Sequence, residues 1–223
     1  MHIKFFERVL NHLSLNYNSV LCNSLYFGKM GGAIFYYHYY KKTRKRYYED
    51  YAGMLLDSII TNYKHNSEIR FADGLCGIGW GIEYLLQNKM ILGDSDDILE
   101  NIDKKVMEIN LCRLTDFSLD SGLNGILQYC IARLTSKERH WGRNPFNRDY
   151  MDELKWIVEQ PNIPIYPSLR RKFEMYFSKP YVMTAIIPHN ILVEPINIKD
   201  NFPNIPIGIY KGLTSYALNT LLR

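Results

Sequence analysis

The feature that most constrains this chain is a recurring glycine pair. Gly-x-x-Gly opens an apolar stretch three times, as Gly28-Lys29-Met30-Gly31, Gly74-Leu75-Cys76-Gly77 and Gly122-Leu123-Asn124-Gly125. The first glycines stand 46 and then 48 residues apart. A partial copy, Gly212-Leu213-Thr214-Ser215, follows 90 residues later, close to two further periods. Ser168-Leu169-Arg170-Arg171 stands near the middle of that gap, with the spacing but no glycine. A fixed period of this length marks a repeated supersecondary unit. We read a single domain over residues 1–223, with repeats of about 46 residues starting near 28, 74, 122, 168 and 212. That makes five units, the fourth eroded.

Each glycine pair leads into a segment that is apolar on nearly every side: GGAIFYYHYYKK, CGIGWGIEYLLQNKM, NGILQYCIARL and TSYALNTLL. Helices of that kind are buried on most faces. Between them lie amphipathic stretches, Arg44 to Tyr63, Ser95 to Arg113 and Asn147 to Gln160. In the first, Tyr48, Tyr51, Ala52, Leu55, Leu56, Ile59 and Ile60 recur at three- and four-residue steps, the signature of one dry helical face. One unit is therefore an apolar inner helix plus an amphipathic outer helix. Repeated pairs of this kind give a solenoid or an α/α barrel, and inner helices this apolar favour the barrel. The expected class is all-α. Glycine at the inner helix start permits close backbone approach and leaves N–H groups open at the mouth of the hairpin.

Residues 161–207 interrupt the pattern. They hold every one of the nine prolines except Pro145, and proline cannot continue a helix interior. KPYVMTAIIPHNILVEPINIK is rich in β-branched residues, so an irregular or extended insert is expected near 180–207, with an outer helix missing.

Composition narrows the function classes. Hydrophobic residues make up 47% and charged residues 22%, enough apolar surface to exclude disorder as the main description. A net charge of +4 is too small to argue for nucleic acid. The basic run KKTRKR at 41–46 reads as a solvated junction near a helix C-terminus. No apolar run is long enough to span a membrane. The 18 tyrosines suit a surface with an apolar body and a wet edge, such as a cavity wall. Cys22, Cys76, Cys112 and Cys130 form no CxxC pair, and MHIKFFERVLNHLS lacks the unbroken apolar core of a leader. Reduced thiols and a cytoplasmic protein are expected.

NSLYFGKMGGAIFYYHYY, FADGLCGIGWGIEYLLQNKM and SLDSGLNGILQYCIARL resemble the inner-helix motifs of the lanthionine synthetase C-like (LanC-like) family, in particular its short Bacteroidales-type members. The resemblance covers residues 20–135 best. It implies an α/α toroid of stacked hairpins. It also implies a zinc-dependent activity, in which the metal activates a peptide cysteine that adds to a dehydrated Ser or Thr to form a thioether. The family's zinc ligands are a Cys two places before one motif glycine and a Cys-His pair just before another. Here the matching places are Tyr26-Phe27, Ala72-Asp73, Asp120-Ser121 and Tyr210-Lys211. No cofactor is therefore expected, and the resemblance implies a peptide or precursor peptide as partner, with a separate modifying enzyme. Two alternatives stay open. One is an active zinc-dependent cyclase with an atypical metal site. The other is a structural subunit completed by a partner or a second copy, since an open repeat array exposes an apolar end.

Candidate site residues follow from chemistry. Cys76 is either a thiolate favoured by a helix N-terminus or a small buried hydrophobe. Asp73 and Asp120 precede two motifs, to bind a cation or basic peptide or to cap a helix, a role Ser24 and Ser121 compete for. His38, among four tyrosines, is a general base, a ligand or a core histidine. Trp80, Glu83 and Tyr84 share one inner helix. Glu83 is the lone acid of an apolar helix, so it needs water, a cavity or a cation, with Lys29 as a candidate partner. His140, Trp141 and His189 have no partner at metal-clip spacing.

Overall fold

The computed structural model describes residues 2–63, 68–137, 143–178 and 204–222. Among them are nine α-helices and no strand, so the chain has the expected all-α class. The inner helices are α2 (Lys29–Thr43), α4 (Leu75–Gln87), α6 (Leu123–Leu134) and α9 (Leu213–Leu222), each starting directly after the first glycine of its motif. The amphipathic stretches fold as α3 (Arg46–Asn62), α5 (Ser95–Met107) and α7 (Arg148–Glu159). Two further helices are α1 (His2–Asn16) and α8 (Pro167–Ser178).

Contacts gather these helices into two units, one of described residues 2–63 and 204–222, the other of 68–137 and 143–178. In the first, α2 is buried without a break from Met30 to His38. Helix α3 covers it with Tyr48, Ala52, Leu55, Leu56 and Ile59, five of the seven residues read from the three- and four-residue steps, while Tyr51 is half-buried and Ile60 exposed. Each fully buried side chain of this size contributes roughly 1.5–3 kcal/mol. Helix α9 lies along α2, and α1 packs on α9. Behind α1, the fully buried Tyr17 donates to or accepts from the Thr214 hydroxyl at 2.6 Å and donates to the Ile207 carbonyl at 3.1 Å. Gly32 of α2 makes room for that ring, because a Cβ there would lie 2.6 Å from it.

In the second unit α4 and α6 form the core. All of α4 from Leu75 to Leu86 and all of α6 are buried. Gly79 faces the Tyr129 ring as Gly32 faces Tyr17, with a Cβ there 2.5 Å from it. The outer helices carry the side-chain caps. Asp94 accepts the Asp96 N–H at the start of α5, and Asn147 accepts that of Tyr150 at the start of α7. Asp96 and Asp97 stand in the first turn of α5 and Lys104 and Lys105 in its last, which suits the helix dipole at both ends.

The eroded fourth copy is helical but not an inner helix. Only Leu169 and Phe173 of α8 are buried, against α6 and α7. The loop before it is held by the Asn124 amide, which donates to the Pro164 carbonyl at 3.0 Å and accepts the Tyr166 N–H at 2.9 Å. Of the stretch from 180 to 207 expected to be extended, residues 180–203 lie outside the described residues, and residues 204–207 belong to the loop leading into α9.

Candidate functional site

The mouths of the inner helices share one backbone device. In each, the N–H of the residue after the first glycine donates to the carbonyl six residues before that glycine. The bonds are Lys29 to Cys22 at 2.9 Å, Leu75 to Glu68 at 2.8 Å, Leu123 to Asp116 at 2.9 Å and Leu213 to Pro206 at 2.8 Å. The loop curls back so closely that a Cβ on Gly28, Gly74, Gly122 or Gly212 would sit inside the same carbonyl oxygen. The requirement is space and not dihedral freedom, because Gly28, Gly74 and Gly122 have extended backbones with φ between −121° and −111°.

At Gly31 and Gly125 the second glycine makes room both for a carbonyl of its own loop, that of Leu25 or Leu119, and for a neighbouring loop. A Cβ on Gly31 would lie 2.9 Å from the Cβ of Ile209, and one on Gly125 would lie 2.7 Å from the Cβ of Phe71. The loops themselves pair by backbone. Tyr210 N–H donates to the Tyr26 carbonyl at 3.1 Å in one unit, and Ala72 N–H to the Asp120 carbonyl at 2.9 Å in the other. In both pairs the donor and the acceptor are the residues two places before the first glycines.

The side chains just before the glycines differ completely between the two pairs. In the first unit the Tyr26 and Tyr210 rings stack with centroids 4.9 Å apart and planes 2° apart. Phe27 stands edge-on to Tyr210 at 6.0 Å, and the Lys211 ammonium lies 4.9 Å from the Tyr210 ring centre. In the second unit the same places hold Ala72, Asp73, Asp120 and Ser121. Asp73 pairs with Arg70 at 3.1 Å. The exposed Asp116 carboxylate accepts the Ser118 N–H and the Ser121 hydroxyl, which holds it below the usual carboxylate range. The helix N-caps are the glycines, with no side-chain cap. The Ser24 hydroxyl accepts the Phe27 N–H, a bond inside the loop.

A family model for the lanthionine synthetase C-like protein matches residues 19–159, more than half of the chain. The chain belongs to the lanthionine synthetase C-like family. No curated protein matches it. Family membership ties it to lanthipeptide modification or peptide binding.

The metal of the LanC-like cyclases can be tested against the donors present. The two places before each motif glycine offer phenol, phenyl, methyl, carboxylate, hydroxyl and ammonium groups, with no thiol or imidazole. Among the described residues, no group of three or more His, Cys, Asp or Glu gathers to hold a metal. That donor set does not fit zinc. Cys76 and Cys130 are fully buried, and burial pushes both thiols up, the opposite of an activated thiolate.

The remaining candidates of this LanC-like chain fall into place by packing. His38 is buried on α2. Lys29 donates to the Ser58 hydroxyl at 2.7 Å. Tyr84 and Trp80 are fully buried and stacked on each other, with centroids 5.4 Å apart, and the Trp80 indole N–H has no partner among the described residues. Glu83 does not use Lys29. Its carboxylate receives Arg133 from α6 at 2.7 Å. The Arg133 guanidinium, 1% exposed, also reaches Asp96 at 3.0 Å and Asp103 at 2.6 Å, and donates to Ser95. Tyr129 donates to Asp103. Sequence reasoning passed over Arg133, although it is the lone base of α6 as Glu83 is the lone acid of α4. Burial raises both Glu83 and Asp103, against the opposing pull of Arg133. The cluster ties α4, α5 and α6 together in a dry interior, where it is structural.

Proposed function

We propose that this chain is a peptide-binding member of the LanC-like family, a pseudoenzyme that holds a precursor peptide for a separate modifying enzyme in lanthipeptide-type maturation. The observation that carries this reading is the chemistry at the eight places before the motif glycines. They hold Tyr26, Phe27, Ala72, Asp73, Asp120, Ser121, Tyr210 and Lys211 where a cyclase of the family needs thiolate and imidazole. Without zinc the peptide thiol keeps its ordinary pKa, so only a small share of it is the nucleophilic thiolate at neutral pH. The motif glycines support the same reading, since close approaches account for Gly28, Gly31, Gly74, Gly122, Gly125 and Gly212 without any catalytic role.

No described helix is long and apolar enough to cross a membrane, and four unpaired cysteines favour a reducing compartment, so we take the cytoplasm as its place of action. The test is elemental analysis of the purified protein, combined with incubation with a dehydrated, cysteine-containing precursor peptide. The expected result is zinc far below one equivalent and saturable binding of a peptide that is recovered uncyclised. One equivalent of zinc with ring formation would overturn the reading.

A further inference from the structure

The positive charge of this chain is gathered at one end of the first unit. Phe6 of α1 lies 5.7 Å from Tyr39 of α2 between ring centres, and Tyr39 lies 4.5 Å from Tyr48 of α3. The start of α1, the end of α2 and the start of α3 therefore meet. The end of α9 joins them, because the Lys42 ammonium donates to the Leu221 carbonyl at 2.8 Å. Lys4 and Arg8 of α1 thus stand with the five cations of KKTRKR, all seven exposed. Within residues 4–8 and 41–50 the carboxylates are Glu7, Glu49 and Asp50, which leaves an excess of four positive charges. That excess equals the net charge of the whole chain, so the other residues carry 20 Lys or Arg and 20 Asp or Glu.

Folding accounts for part of this cluster. Lys41 and Lys42 stand in the last turn of α2, where the helix dipole favours cations. Lys4, Lys45 and Arg46 stand at the opposite kind of end. Lys4 lies in the first turn of α1, which holds no acidic residue. Lys45 is the N-cap of α3 and Arg46 its first residue. There the dipole repels a cation. Helix α5 follows the rule instead, with Asp96 and Asp97 first and Lys104 and Lys105 last. Asp50 lies 4.0 Å from Arg46, with both side chains mostly exposed, and such a pair contributes little. Cations that break the local rule together at one exposed place mark a functional surface.

We infer that this end of the first unit docks an acidic peptide segment, with Lys4, Arg44 and Lys45 meeting its carboxylates and the neighbouring cations adding to the field. The inference rests on the peptide-binding reading and names the charge of the peptide. Carboxylates meet the ammonium and guanidinium groups in charge-assisted bonds, and the local excess of charge steers the encounter. A bilayer would need several apolar side chains beside the cations to anchor it. A nucleic-acid single strand would need a row of rings to stack on. Among the described residues of these two segments, Tyr47 is the one large apolar side chain that is mostly exposed, at 55%. An acidic peptide needs only the cations.

The test uses the full chain, isotope-labelled for NMR at low salt. The probes are acetyl-Gly-Glu-Asp-Glu-Asp-Gly-amide and its neutral counterpart acetyl-Gly-Gln-Asn-Gln-Asn-Gly-amide. The acidic peptide should bind about fivefold more tightly than the neutral one, with shifts centred on residues 4–8 and 41–47, and high salt should remove the preference. Lys4→Gln, Arg44→Asn and Lys45→Ser in one chain should weaken it about tenfold. Lys104→Gln, Lys105→Gln and Arg148→Gln remove the same charge from α5 and α7, and should weaken it by less than about twofold. Lys45→Ser alone separates binding from stability. Serine is a better N-cap than lysine, so the melting temperature should rise by about 2 °C while the affinity falls. Equal affinity for the two peptides, equal losses in the two triple variants, or no binding of the acidic peptide overturns the inference. A lower melting temperature for Lys45→Ser also overturns it, by returning that lysine to the fold. Tighter binding to phosphatidylserine vesicles or to an oligouridylate than to the acidic peptide overturns the choice of occupant. The peptide-binding reading is judged separately, by whether the protein still binds the dehydrated precursor peptide.

Discussion

Two pairs of loops in this molecule have the same backbone and opposite surfaces. Before α2 and α9 the exposed side chains are aromatic and cationic. Before α4 and α6 they are acidic and hydroxylic. Yet each loop returns its carbonyl to the first helical N–H from seven residues back, and each pair is joined through the residues two places before the glycines. The fold thus spends the glycines on packing and leaves the two places before them to chemistry. The two pairs of this LanC-like chain keep one backbone pattern with different residues at those places.

The largest expected effect breaks the second unit alone. Arg133→Met leaves Glu83, Asp96 and Asp103 without their shared cation in a dry interior, and should destabilise the protein by about 3–5 kcal/mol. Urea denaturation followed by circular dichroism measures it, and a loss below 1 kcal/mol would contradict a structural role for the cluster.

Next come the helix-face glycines. Gly32→Ala drives a methyl into the Tyr17 ring and Gly79→Ala one into the Tyr129 ring, each at about 1–3 kcal/mol. Thermal melts of the two variants sharpen the comparison, because similar losses would show that both units pack a glycine under a tyrosine to the same tolerance.

The third effect is a dependence on pH at acid to neutral pH that arises from two buried carboxyls of the second unit. Burial raises Glu83 above its ordinary value of 4.5 and raises Asp103 likewise. In the window between the ordinary and raised values the folded chain therefore holds protons that the unfolded chain has released. Stability from these groups is complete below the ordinary carboxylate range and is lost as pH rises through the raised values. Glu83→Gln should flatten that slope and be the more stable form near neutral pH. Melting temperatures of parent and variant from acid to neutral pH give the answer, and parallel curves would contradict it.

The smallest effect lies at the acidic mouth. Arg70 and Asp73 are both more than a third exposed, so Arg70→Ala should change stability by less than about 1 kcal/mol, measured by the same melts.

How much of this could be read from the residues divides along physical lines. The spacing of Gly28, Gly74, Gly122 and Gly212 located the four inner helices, and the periodic apolar residues located α3, α5 and α7. Helix α1 was passed over because its charged residues were weighed only against a leader sequence, although Phe6, Val9, Leu10 and Leu13 recur at helical steps. The loop device was illegible, since CNSLYF, EIRFAD, DFSLDS and PIGIYK share little beyond an apolar residue three places before the glycine. A backbone-to-backbone bond leaves no mark on side chains. Glu83 was legible as an anomaly, but its partner was not, because Lys29 and Arg133 are equally plausible cations until packing chooses one. The stack of Tyr26 on Tyr210 joins residues from opposite ends of the chain, which no local pattern announces.

The shared loop device is tested most directly by Gly28→Ala and Gly122→Ala, one from each pair, with unfolding free energies measured by denaturant titration. A glycine free of close contacts gains about 0.4–1 kcal/mol when replaced by alanine, through the unfolded chain. With the carbonyls of Cys22 and Asp116 occupying the space of the new methyl, both variants should instead lose about 3 kcal/mol, and by similar amounts. A variant as stable as the parent, or a large loss in one unit and none in the other, would contradict the account.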